Sequence, residues 1–331
     1  MMFASVLTAE GVFEPVPLRA GGSKGRSPLT RSGARCLRAS DEGKPGVMKR
    51  SADRDGSWAL KEPSHQRVDT ALHHALDARP GGLADGIASR NSNRHPVSAA
   101  VVIAVLGYVV VGTVLVGLGL LLTHVLLSGG LGRWDEGVNE WFVTRRTTSL
   151  NTITSVATML GSTAPVIGMM LISVIFLVFR RLWREVGVIV VALAVEFLVF
   201  LTTAVIVDRP RPTVPRLDIA PPTSSFPSGH TAAAIALWVS LAIVISMHVR
   251  SAFVRTIVWI VALGLPVFVG VSRIYRGMHH PTDVMASVVL GTGAILIALL
   301  AIRAASGVAD IRHEAPTVDL SAEPARVEVA S

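Results

Sequence analysis

No lysine occurs after Lys61, so every fixed cation in the rest of the chain is an arginine. There is one cysteine, Cys36, which excludes an intrachain disulfide. Charged residues make up only 16% of the chain, against about 25% in ordinary soluble domains. Most of them lie before His95 or after Ile302. Aromatic residues stand at 5%, and no aromatic-plus-basic recognition motif accompanies the formal net charge of +8. That argues against a nucleic-acid partner and assigns the surplus arginine to tails and to loops facing anionic lipid. The opening MMFASVLTAEGVFEPVP has neither a charged n-region nor an apolar h-region, so it does not read as a signal peptide.

What the chain has in abundance is apolar sequence, half of all residues. It falls into six runs, near 98–127, 163–179, 186–207, 229–248, 254–272 and 283–302. Runs close to the ~20 residues of a membrane span must satisfy their own backbone in lipid, which only helices do at these lengths. The expected fold class is therefore all-α: a polytopic membrane bundle of six transmembrane helices over residues 96–304. Residues 1–95 read as a disordered basic tail, with local helix only near Val68–Leu76, and residues 305–331 as a second disordered tail. The loops RRLWRE (180–185) and HVRSAFVR (248–255) are basic and fall on one side when six helices are threaded in order. The positive-inside rule places both termini in the cytoplasm and the loops after helices one, three and five on the opposite face. In the first outer loop Trp134 and Trp141 share one helical face with Val138, which fits either an interfacial helix or a plain loop.

Three polar stretches converge on that outer face: VDRPRPTVPRLD (207–218), FPSGH (226–230) and VSRIYRGMHHPTD (271–283). Arg211 and Arg273 offer planar donor forks suited to phosphate oxygens. Ser228 is suited to cap a helix, and the amides of Gly229, His230 and Thr231 would then form an anion site with no side chain at Gly229 in the way. His279 and Asp283 are four apart, so the carboxylate is expected to orient the imidazole for attack. Pro281 suits the first helical turn. His280 competes with His279 for the nucleophile but lacks the four-residue relation to Asp283. Arg216 and Asp218 read as solvated loop charges, and Glu196, in mid-span, as a buried structural carboxyl. The set can move a phosphoryl group without a metal or cofactor.

These residues resemble the signatures of the type 2 phosphatidic acid phosphatases, the PAP2 superfamily. Pro227-Ser228-Gly229-His230 is identical to the second motif. Ser272-Arg273, five residues, His279, three residues, Asp283 matches the third. Arg211-Pro212 matches the end of the first, whose lysine would fall at Ala204. With no lysine available, Arg209 is the expected substitute, with Arg216 and Arg276 behind it. The resemblance implies that His279 attacks phosphorus, that His230 serves as acid and base, that Asp283 supports His279, and that Arg211, Ser228, Gly229, Arg273 and Arg209 hold the phosphate. It implies a multi-pass membrane enzyme acting on a lipid phosphate or diphosphate at the extracytoplasmic face, such as phosphatidic acid, phosphatidylglycerol phosphate or a polyprenyl diphosphate. A lipid-linked phosphotransferase and a non-catalytic lipid-phosphate transporter are the alternatives. The oligomeric state is not legible.

Overall fold

The computed structural model describes residues 74–314, together with residues 51–52 and 58–59. The chain divides into two units, Met1–Lys61 and Glu62–Ser331. In the first, Ser51–Ala52 pairs antiparallel with Trp58–Ala59. The rest of the expected tail up to residue 73, and the chain beyond Glu314, lie outside the described residues.

The second unit is helical. Among the described residues its helices are α1 (Leu83–Arg90), α2 (Pro96–Leu121), α3 (Gly130–Val143), α4 (Thr148–Met159), α5 (Thr163–Phe179), α6 (Trp183–Val207), α7 (Gly229–His248), α8 (Ala252–Tyr275) and α9 (Pro281–Glu314). Five spans are long and apolar enough to cross a membrane: α2 with its π-helical extension to Leu126, α6, α7, α8 and α9. Counted as one span, α4 and α5 together, bent by 45°, make a sixth. The reason is length: α5 has 17 residues, about 25 Å of helix, short of a hydrocarbon core of about 30 Å.

Four helices, α2, α6, α7 and α9, build the main core around Leu115, Val195, Val199, Phe226, Ala232 and Leu290. Small residues allow their close approach. A Cβ on Gly291 would stand 2.6 Å from the Ile235 Cβ, and one on Gly107 2.6 Å from Ile297. On Gly119 it would meet Val207 at 2.6 Å and the Phe226 ring at 2.8 Å. Val101, Val105, Val109, Phe197, Leu201, Ile260 and Val267 face outward, as lipid-facing positions do.

Two expected boundaries move. Helix α9 runs ten residues past 304, to Glu314; at 34 residues it is about 51 Å long and outruns any bilayer core. The segment before 96 is in part ordered against it. Ala84 packs with Ala301 and Ala304, Ala88 packs with Val308, and Arg303 Nε donates to the Ala75 carbonyl at 3.1 Å. Asp77 pairs with Arg184 at the start of α6. An eight-residue helix that buries only alanines carries almost no apolar period, which is why composition alone assigned it to the tail. A 3₁₀ turn at His74–Leu76 is the described part of the expected local helix. The first outer loop is helical as α3: Trp134 and Trp141 are exposed, and Asp135 and Asn139 are fully buried on its other side.

Two outcomes test this architecture. With Cys36 replaced by serine, a cysteine at Thr213 should react with an impermeant reagent added outside whole cells and one at Arg181 should not; labelling of both from one side would overturn the threading. Gly119→Val should cost about 1–3 kcal/mol by overpacking and lower the thermal midpoint, whereas Gly112→Ala, where a Cβ meets nothing within 4 Å, should leave it unchanged.

Candidate active site

The three polar stretches meet where the C-terminus of α8 and the N-termini of α7 and α9 come together. The turn from α8 to α9 is short because Gly277 adopts φ 72°, a conformation that favours glycine. Pro281 opens α9. Asp283, at the third position, accepts from the backbone N–H of His280 at 2.8 Å, the reciprocal half of a capping box. A carboxylate from α3 caps the same helix from outside: Asp135 accepts from Thr282 N at 3.1 Å and from Thr282 Oγ1 at 2.5 Å.

His279 is 4% exposed, and its Nδ1 lies 2.7 Å from the Ser225 carbonyl. A carbonyl only accepts, so Nδ1 carries the proton and Nε2 keeps its lone pair. Here the geometry corrects the sequence reading. Asp283 Oδ2 is 3.9 Å from His279 Nδ1, beyond hydrogen-bond reach, because Asp283 is occupied by the His280 backbone and by Arg209. The tautomer is set by Ser225. Burial, then the charges of Arg273 and Arg211, hold the His279 pKa well below the usual histidine value, against the opposing pull of the Ser225 bond. The imidazole is therefore neutral at physiological pH. His280 differs: Nε2 faces Glu136 Oε1 at 3.2 Å and Nδ1 faces Asp283 Oδ2 at 3.3 Å. Both of its nitrogens are engaged by carboxylates of the protein, unlike the Nε2 of His279.

The arginines divide into two sets. Arg211 donates through Nη1 to the Met278 carbonyl at 2.8 Å, and Arg273 through Nη1 to Thr158 Oγ1 at 2.8 Å and Asp218 Oδ2 at 3.1 Å. In both, the buried Nε has no partner, a donor left for a ligand where burial makes an unmet donor costly. Arg209 belongs to the other set and is not placed to replace the missing lysine. It is 1% exposed; its Nη1 bonds Thr282 Oγ1 at 2.7 Å and Asp283 Oδ1, and its Nη2 bonds Asp135 Oδ2 at 2.7 Å. Only its Nε is unpartnered. Ala204, at the lysine position, is buried in α6. Arg216 is exposed in the loop.

Asp218 is likewise not a solvated loop charge. Arg276 grips it through two bonds, Nε to Oδ2 at 2.8 Å and Nη2 to Oδ1 at 2.5 Å, and Arg273 shares Oδ2. Burial works against its ionisation, but the Arg276 bond and the two guanidinium charges outweigh that and hold the carboxyl below its ordinary range. Arg276 is thereby committed to Asp218 and to α4, through the Asn151 carbonyl at 2.9 Å.

His230 stands in the first turn of α7, and its charge would bear on both His279 and Asp218. Ser228 occupies the cap position with no side-chain cap bond; its hydroxyl pairs with Thr231 Oγ1 at 3.0 Å. Gly229 also packs closely: a Cβ there would stand 2.8 Å from the Phe200 ring. Glu196 is buried in α6, as expected.

Sequence reading missed Asp135, Glu136 and Ser225. Asp135 and Asn139 are four apart and opposite Trp134 and Trp141, a polar stripe that a helical wheel of α3 displays. Nothing in the sequence ties that stripe to a turn nearly 150 residues later. Asp135 and Asp283 both bind Arg209.

Comparison with known proteins agrees with the motifs. The model of the PAP2 superfamily matches residues 184–306. No curated protein matches. Among solved structures the chain is similar to the transmembrane PAP2 type phosphatidylglycerolphosphate phosphatase of Bacillus subtilis, at 23% identity and a TM-score of 0.49, covering 62% of this chain and 94% of that one. It is also similar to LpxE of Aquifex aeolicus, at 22% identity and a TM-score of 0.39, covering 50% of this chain and 94% of that one. The matched segment carries the Arg211-Pro212, Pro227–His230 and Ser272–Asp283 motifs and helices α7 and α8 complete, and over these residues the chain is similar to the PAP2 superfamily.

Proposed function

We propose that this protein is an integral membrane phosphatase that hydrolyses a lipid phosphate or diphosphate through a phosphohistidine, without a metal. The observation that carries the reading is the free Nε2 of a buried, neutral His279 beside two arginines whose Nε donors are unmet. In the first step Nε2 attacks phosphorus, the bond from phosphorus to the lipid oxygen breaks, and His230 passes its proton to that oxygen. In the second, His230 takes a proton from water, the resulting hydroxide displaces His279 from phosphorus, and inorganic phosphate leaves. Arg211, Arg273 and the α7 N-terminus stabilise the equatorial oxygens, where charge is spread in the transition state. Ser225 keeps the proton on Nδ1 while the nitrogen across the ring forms the bond. An active site facing away from the cytoplasm would receive headgroups of the outer leaflet, with α3 lying at the membrane surface beside them.

Purified protein should release phosphate from phosphatidic acid, phosphatidylglycerol phosphate or a polyprenyl diphosphate in buffer containing excess chelator, and orthovanadate should inhibit. Strict dependence on an added divalent cation would sink the mechanism. The two histidines should fail differently. His279→Ala should abolish phosphoenzyme and turnover with every substrate. His230→Ala should lose about 10²–10⁴-fold with a lipid alkoxide leaving group and recover part of that, in the first step, with an aryl phosphate. His280→Ala should keep phosphoenzyme formation; its loss there together with near-normal turnover in His279→Ala would move the nucleophile by one residue.

A further inference from the structure

Arg209 occupies the place where three strands of the site's support cross. Its backbone carbonyl accepts from Ser225 N at 2.9 Å, and its backbone N–H donates to Ser224 Oγ at 3.0 Å. Ser225 is the residue whose carbonyl fixes the His279 tautomer. The Arg209 side chain binds Asp283, which accepts from the His280 backbone next to His279. The remaining arm reaches Asp135 on α3, 0% exposed and bonded also to Thr282. The arginine at the centre of this cluster is thus held at its far end by a residue outside the matched family segment.

We propose that Asp135 is a positioning residue for the nucleophile: it anchors the Arg209 guanidinium, and through Arg209 it holds both the Ser225 carbonyl and the Asp283 carboxylate that fix His279. The proposal rests on the reading of His279 as nucleophile. Without Asp135 the guanidinium has one carboxylate partner and is free to swing toward Asp283 alone, which shifts the 224–225 segment and the first turn of α9 together. Asp135 carries no positive charge for a phosphate, and both Nη groups of Arg209 are taken by protein oxygens, so the loss falls mainly on the chemical step rather than on substrate binding. The neighbouring Glu136 adds a second hold on the same turn, through His280 Nε2 and through Thr213 Oγ1 at 3.2 Å.

The test uses the full chain in lipid nanodiscs. Asp135→Asn preserves shape and removes the charge that Arg209 requires; Thr282→Val removes one hydroxyl from the cluster and leaves every charge, and it serves should Asp135→Asn fail to fold. Asp135→Asn should lower kcat by about 10²-fold, the scale of a small misplacement of reacting groups, with KM within twofold; Thr282→Val should lower it less. Combined with Arg209→Lys, which cannot span both carboxylates, Asp135→Asn should cost no more than the worse single variant. Losses that multiply, or a raised KM with kcat intact, would overturn the proposal. A second readout needs no turnover. In ¹⁵N-histidine spectra, with the His279 signal assigned by its absence in His279→Ala, the wild type should show the Nδ1–H tautomer and Asp135→Asn a mixture. An unchanged tautomer overturns the positioning role. A wild type that releases no phosphate while the tautomer still responds to Asp135 refutes the phosphatase reading and leaves the positioning role standing.

Discussion

A guanidinium at 1% exposure between two carboxylates at 0% is the contact on which the rest of the site depends. Removing three charges from water costs several kcal/mol per ion unless geometry and hydrogen bonds compensate. Here both carboxylates are met several times over. Asp135 takes Arg209 and two donors of Thr282, and Asp283 takes Arg209 and the His280 backbone. An arrangement this demanding has essentially one solution. It therefore fixes where α3, the 208–228 loop and the N-terminus of α9 stand relative to one another. A buried ion pair is weak evidence for stability, and its value here lies in geometry: the elements it locks are those that present His279.

The chemistry follows from what that lock leaves free. With Asp283 occupied, His279 is oriented by a backbone carbonyl, which accepts the Nδ1 proton but adds no full charge to the imidazole. Burial and two nearby arginines keep the ring neutral, as a nucleophilic nitrogen requires. Those same arginines keep unmet Nε donors pointing to no protein atom. Asp218 accepts from Arg273, while Arg276 grips it through two bonds and holds it in place. On the proposed reading Arg211 and Arg273, with the α7 N-terminus, would hold the phosphate, in a domain with no lysine after Lys61.

Helix α3 joins two environments. Its tryptophans are exposed and its Asp135 and Asn139 are buried, so one amphipathic element joins an outer face to the turn that carries His279. It lies before the segment matched to the family, 184–306. The superfamily motifs lie within the matched segment, and this separate helix bonds to the residues around them.

Much of this was legible in the sequence. Six apolar runs near the length of a bilayer core admit only helices, because lipid offers the backbone no other partner. The helices at 229–248 and 183–207 lie close to where hydropathy placed them. The motifs were legible too, since Pro227–His230 and Ser272–Asp283 are local patterns of fixed spacing, and both fall within the segment 184–306 that the superfamily model matches. What a side chain does with its partners was not. Arg209 and Asp218 read as a phosphate ligand and a loop charge, and Asp283 as the direct partner of His279. Each assignment was changed by a group distant in sequence: Asp135 for Arg209, Arg276 for Asp218, and Arg209 for Asp283. Local sequence determines which elements form and which chemistry they carry. Only the tertiary structure decides which charges meet, because a buried charge takes the partner that packing brings within about 3 Å, and packing of distant segments has no periodic trace in the sequence.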